Sequence, residues 1–205
     1  MIVRNGPWLS SGDRLVCFGD SITETSDGYV SHLGHALQSR GVTVIPAGRG
    51  GDKTTSALMR LERDVMANKP TAVLLFFGAN DARVARGKWA DEPTVSPDTY
   101  RENLIWMVHL CRQIGISKFS IAPPTWRLEG DEWRENGEIY QPYCLAARAA
   151  AEASGSVFVP IDVMYAEEWQ KHPGHTGLLM TNDGLHPTPE THALIAKTLL
   201  NTWGM

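Results

Sequence analysis

Short runs rich in apolar and β-branched residues recur along the chain at Leu15 to Phe18, Val42 to Ile45, Ala72 to Phe77, Lys118 to Ala122 and Val157 to Val159. Runs of this length read as buried strands, and the unbroken one at Ala72 to Phe77 suits a central parallel strand. Between them the apolar positions take a helical period. Tyr29, Leu33 and Leu37 form one stripe, closed by Gly41, and Leu58, Leu61 and Val65 form a second before Pro70. Ser96-Pro97 supplies an N-cap and a first helical residue for a third stripe of Tyr100, Leu104, Val108 and Cys111, ended by Gly115. Further helices are predicted from about Tyr140 to Ser154 and from Thr188-Pro189 to about Trp203. The segments Arg83 to Thr94, Thr125 to Gly137 and the stretch before Asp183 show no clear period and are expected to be loops.

Strand and helix therefore alternate. Five parallel strands joined by right-handed crossovers predict a three-layer α/β/α sandwich, with the flavodoxin-like order 2-1-3-4-5. No repeat, low-complexity tract or linker interrupts the pattern, so residues 1–205 are expected to form a single domain.

Composition narrows the partners. A net charge of −4 lacks the basic excess that nucleic acid or an anionic membrane demands. Cys17, Cys111 and Cys144 are odd in number, lack CxxC spacing and sit among apolar neighbours, so buried free thiols are expected. No apolar run reaches signal-peptide or membrane-spanning length, and the expectation is a cytoplasmic chain. The sequence leaves both a monomer and a homo-oligomer open.

The chemistry gathers on the loops after strands 1, 2, 3 and 5, which an open parallel sheet delivers to its carboxyl edge. They hold Ser21, Gly51, Asn80 and the pair Asp183 and His186. Ser21 stands on a strand-to-helix turn, where the plainer reading is a helix cap. The other loops favour catalysis. A serine nucleophile needs a base near neutrality, and the base needs a carboxylate to orient it. Asp183 and His186 lie three residues apart in one tight turn eased by Gly184. The backbone N–H groups of Gly51 and Ser21 and the Asn80 amide are suited to stabilise a developing oxyanion.

These residues also carry a resemblance. Gly19-Asp20-Ser21-Ile22-Thr23, the glycine turn through Gly51, Gly78-Ala79-Asn80-Asp81 and Asp183-Gly184-Leu185-His186-Pro187 resemble the four blocks of the GDSL, or SGNH, serine hydrolase family. They occur in the family's order and span almost the whole chain. The resemblance implies the SGNH hydrolase fold, Ser21 as nucleophile, Asp183 and His186 as its orienting acid and base, and Ser21, Gly51 and Asn80 as the oxyanion hole. It implies neither cofactor nor metal. Pro46 and Thr25 depart from residues common in the family, asparagine and glycine, at positions outside the chemistry.

Other signals have plainer explanations. Gly48 to Thr54 approaches a P-loop, but Asp52 stands where glycine is required. His172 and His175 have HxxH spacing in a Pro/Gly loop, without a cysteine partner. Asp20 and Asp81 suit capping and loop hydrogen bonds, and His32, His35, His109 and His192 are expected at the surface.

Substrate is the least determined. Trp89, Trp126, Trp133 and Trp169 lie in the long irregular segments, where indole faces can stack on sugar rings as readily as they fill a core. Gly28-Tyr29 and Pro123-Pro124 add a likeness to family members that deacetylate carbohydrates. The expected substrate is a small-molecule or oligosaccharide ester with a small acyl group, with Trp126, Trp133 and Arg49 as candidate contacts. A lysophospholipase or acyl-thioesterase of the same family and a non-catalytic carbohydrate-binding module are the alternatives.

Overall fold

A computed structural model describes residues 6–84, 91 and 93–205, except the Glu132 side chain. Trp89, one of the aromatic candidates, lies outside the described residues. Five parallel strands form one sheet in the order β2-β1-β3-β4-β5: β1 (Arg14–Gly19), β2 (Thr43–Gly48), β3 (Ala72–Phe76), β4 (Lys118–Ala122) and β5 (Val157–Phe158). This is the predicted order. Pro46 is tolerated because β2 is an edge strand, where a missing N–H interrupts no second ladder.

The helices are α1 (Ser21–Glu24), α2 (Tyr29–Gln38), α3 (Thr54–Asp64), α4 (Pro97–Gln113), α5 (Gly130–Asn136), α6 (Gln141–Ser154), α7 (Ile161–Gln170) and α8 (Pro189–Trp203). Alternation along the strands sorts them into two layers. Leu15, Cys17, Leu74 and Phe76 pack with Tyr29 and Leu33 of α2, Tyr165 of α7 and Leu199 and Trp203 of α8. Val16, Phe18, Val73 and Leu75 face the other way, onto Leu61 of α3, Tyr100 and Leu104 of α4 and Ala147 of α6. The three cysteines are free and buried, and burial pushes their thiols up.

Two expected loops contain helices. α5 lies within Thr125 to Gly137, and its highly charged sequence gives no apolar period. α7 follows β5 directly and buries Ile161 and Tyr165. Ile161, Tyr165 and Trp169 are spaced by four, a helical signal hidden by the short strand and Pro160 beside it. Ends marked by capping chemistry are better placed. Ser96 Oγ accepts from the Thr99 N–H at 3.1 Å, and Thr188 Oγ1 accepts from the Thr191 N–H at 3.2 Å.

Close approach explains one glycine. A Cβ on Gly48 would lie 2.2 Å from the Glu24 nitrogen, so glycine at the end of β2 lets α1 lie against the strand. Among the described residues no helix is long and apolar enough to cross a membrane.

One surface expectation is corrected. His192 on α8 is buried at 3% exposure, because α8 packs its first turns onto the start of α2. Its Nδ1 accepts from the Tyr29 N–H at 3.2 Å, and the two rings stack. Burial, with the His32 and His186 imidazoles nearby, pushes His192 down to about 4. An unfolded imidazole binds its proton near pH 6.5, so unfolding takes up a proton between those values. His192 therefore lowers stability progressively as pH falls below about 6.5. Relative to His192→Asn, which keeps an acceptor for Tyr29, the wild type should lose up to ~1.4 kcal/mol per pH unit in that window. Urea unfolding of both proteins at several pH values measures the difference; equal slopes would show that His192 is not held neutral.

Candidate active site

β1 runs out at Gly19, and Asp20 turns the chain into α1. The Asp20 carboxylate accepts from the Ile22 N–H at 3.0 Å and caps the helix. Ser21 is thus the first helical residue rather than the cap, and its hydroxyl is available elsewhere. Ser21 Oγ lies 3.1 Å from His186 Nε2, and His186 Nδ1 lies 2.7 Å from Asp183 Oδ2. Asp183 Oδ1 accepts from the N–H groups of Leu185 at 2.9 Å and His186 at 2.7 Å. Partial burial works to raise the Asp183 carboxyl, but the His186 ring and these two N–H groups outweigh it and hold the group below the usual range. An ionised Asp183 can only accept. The Nδ1–H of a neutral His186 then donates to Asp183, and Nε2 is left to accept from Ser21.

The opposite side of Ser21 is built from the turn after β2 and the end of β3. Gly51 has φ +76°, a conformation that favours glycine, and a Cβ built there would meet nothing within 4 Å. A Cβ on Gly50 would lie 3.9 Å from Ser21 Cβ, which brings this turn beside the serine. Asn80 Nδ2 donates to the Asp52 carbonyl at 3.2 Å and more weakly to Asp20 Oδ2 at 3.4 Å. As the first residue of α1, Ser21 contributes an N–H that a helix leaves without an intrahelical acceptor. The structure therefore brings Ser21, Gly51, Asn80, Asp183 and His186 to one edge of the sheet.

Several buried polar groups beneath this edge are paired. Burial pushes Asp20 up to about 7 and Asp81 up to about 6. Asp81 accepts from the N–H and hydroxyl of Thr54 at the start of α3, at 3.0 and 2.5 Å. Asp52, where a P-loop would have glycine, accepts from Arg60 and from Ser56. Arg60 was not visible as a support residue in the sequence. It is buried on α3, lies over the Phe18 ring and donates to the Gly19 carbonyl at 2.8 Å and the Ala47 carbonyl at 3.0 Å. One guanidinium thus ties the ends of β1 and β2 to the glycine turn. Its signal, charge on a helix with an apolar face, is shared by any solvated arginine.

The candidate substrate contacts differ in setting. Trp126 is half-buried against both apolar layers, and its Nε1 donates to Glu138 at 3.0 Å. Trp133 is exposed on α5. Arg49 is exposed, 3.9 Å from Asp52, on the glycine turn. Trp169 is half-buried on α7. His172 and His175 are exposed; His172 lies 3.6 Å from Glu168 and His175 lies 3.3 Å from the Leu178 carbonyl. Thr25 closes α1, donating to the Ser21 carbonyl at 3.0 Å.

The model of the GDSL-like lipase/acylhydrolase family matches residues 17–194. Over an alignment of 216 positions the chain is 25% identical to an acetylxylan esterase of Geobacillus stearothermophilus, covering 96% of each. It is 35% identical to an uncharacterized lipoprotein of Bacillus subtilis over 114 residues, which span 51% of this chain and 45% of the lipoprotein. A crystal structure of a catalytic mutant of Axe2, an acetylxylan esterase from G. stearothermophilus, superposes with TM-score 0.84 at 24% identity over 96% of both chains, a likeness of fold.

The geometry around Ser21 gives a direct expectation. A fluorophosphonate probe should label Ser21, because His186 is placed to take its proton as the new bond forms. Ser21→Ala should abolish labelling and leave the thermal melt close to wild type. Mass spectrometry of the labelled peptide checks this, and labelling at another serine would overturn the assignment.

Proposed function

The chain belongs to the GDSL-like lipase/acylhydrolase family and is a carboxylic ester hydrolase, and from that premise we propose that it removes small acyl groups, acetyl above all, from carbohydrate esters through an acyl-enzyme on Ser21. The observation that carries the mechanism is the relay Ser21–His186–Asp183, at 3.1 and 2.7 Å. Ser21 Oγ attacks the ester carbonyl while His186 Nε2 takes its proton. Asp183 stabilises the imidazolium through Nδ1–H. The tetrahedral oxyanion accepts from the N–H groups of Ser21 and Gly51 and from the Asn80 amide, whose long bond to Asp20 is the one a substrate oxygen most easily replaces. Collapse expels the alcohol, which takes the proton from His186. Water, activated by the same base, then releases the acid and regenerates Ser21.

Three features support a sugar as the leaving group. The relative that matches across nearly its full length is an acetylxylan esterase. A surface cleft of about 630 Å³ opens beside Gly51, lined by Lys53, Thr55, Ser56, Thr94, Ser96 and Thr99 together with Pro93 and Val95. The hydroxyls are suited to those of a carbohydrate, while the Lys53 ammonium donates to the Pro93 carbonyl at 2.9 Å. Trp133, exposed on the short helix beside the Asp183 turn, offers a face for stacking.

Asn80→Ala should lower kcat on an aryl acetate by roughly 10²–10³-fold with a smaller change in KM, since the amide acts mainly as charge develops. A rise in KM alone would make Asn80 a ground-state contact.

Acyl length tests the substrate. Each added methylene contributes about 0.8 kcal/mol only where apolar surface receives it. Efficiency, kcat/KM, should be highest for acetyl esters, lower for butyryl and very low for octanoyl. Trp133→Ala should harm acetylated xylo-oligosaccharides more than a small aryl acetate. Efficiency rising out to octanoyl would replace this reading with a lysophospholipase or acyl-thioesterase.

A further inference from the structure

Asp183 and His186 sit on residues 171–188, between α7 and α8, a stretch with no helix and a single isolated bridge from Thr181 to Pro187. Their side chains are 53% and 39% exposed, so burial does not fix them. Met180 is buried in the core with Leu179 and Leu185 packed against it, and the polar anchoring comes from residues 127–130, at the start of α5. The buried Glu129 carboxylate accepts from the Leu179 N–H at 2.6 Å, the Met180 N–H at 3.2 Å and the Thr181 hydroxyl. Thr181 Oγ1 in turn accepts from the Gly184 N–H at 2.9 Å. Arg127, also buried, donates to the Gly184 carbonyl at 3.0 Å and lies over the Tyr140 ring. A Cβ on Gly130 would fall 2.5 Å from Gly184 Cα, and one on Gly184 would fall 2.7 Å from Gly130 Cα, so the two backbones meet with no room for side chains. Asp183 is therefore held on both sides, through 179–181 before it and Gly184 after it.

We propose that Glu129 is a positioning residue for the base of the reaction, acting through Thr181 and Gly184 on the Asp183–His186 turn; the inference rests on the acyl-enzyme reading above. A buried carboxylate is costly unless its lone pairs are used, and ionic hydrogen bonds are about twice as strong as neutral ones. Glu129 spends that strength on one loop, at the point where a shift would draw His186 Nε2 away from Ser21. The effect belongs to the transition state, because proton transfer needs the 3.1 Å contact while substrate docking does not.

The test uses Glu129→Ala, Glu129→Gln and the near-isosteric Thr181→Val, assayed on an aryl acetate with melting curves run beside them. In folded protein, Glu129→Ala should lower kcat about 100-fold with KM little changed. Glu129→Gln, which keeps one acceptor oxygen, should recover part of the loss, and Thr181→Val should fall between the wild type and Glu129→Ala. Because Glu129 acts through His186, adding Glu129→Ala to His186→Ala should cost little further. If Glu129→Ala does not fold, Thr181→Val carries the test. Wild-type kcat in the folded variants, or an undiminished loss in the His186→Ala background, would overturn the positioning role. Wild-type activity in Ser21→Ala and His186→Ala would instead overturn the acyl-enzyme reading; loss in both, beside an active Glu129→Ala, would overturn positioning alone.

Discussion

A 3.1 Å contact between Ser21 and His186 joins positions 165 residues apart in the chain, and the arrangement of the site depends on it. No local preference can hold such a distance. The sheet provides the first part of the answer. In the order β2-β1-β3-β4-β5, the loops after β1, β2 and β3 emerge side by side at one edge. α8 then packs back along α2, which returns the turn before it to that edge. The sheet brings the loops to one edge, and packing and hydrogen bonds fix their positions there.

Those hydrogen bonds are made largely by buried carboxyl and guanidinium groups. Asp20, Asp52, Asp81 and Glu129 all lie within the protein, and Arg60 and Arg127 are buried near them. An unpaired charge there would be untenable. Asp20 and Asp81 cap or seat helix starts, Asp52 meets Arg60, and Glu129 takes the N–H groups of an irregular loop. The low dielectric that makes each group costly also makes each satisfied contact strong and directional. A loop without helix or strand is thereby tied down by polar contacts beside the burial of Met180.

Legibility in the sequence followed the range of the interaction. The strands at Leu15 to Phe18 and Ala72 to Phe77 were evident because both their faces are buried, which leaves an unbroken apolar run. α4 and α8 were evident because Ser96-Pro97 and Thr188-Pro189 carry the capping chemistry within the segment. α5 was hidden by its charge. α7 was hidden although Ile161, Tyr165 and Trp169 keep a spacing of four, because Pro160 and the very short β5 obscured where it began. His192 read as a surface residue because its burial comes from α2, more than 150 residues earlier in the chain.

The sequence by itself determined the alternation of strands and helices and the residues on the carboxyl-edge loops, since each follows from periodicity and turn residues within short windows, and right-handed crossovers narrowed the sheet to a few orders, of which the expected one is found. Tertiary structure alone decided that Arg60 ties two strand ends to the glycine turn, and that Glu129 and Arg127 hold the Asp183 turn. Each of these is a polar side chain whose partner is a backbone group or charge supplied by another part of the fold. A polar residue bound for solvent and one bound for such a partner look alike in sequence, because hydrogen bonding depends on distance and direction, which exist only after the chain has packed.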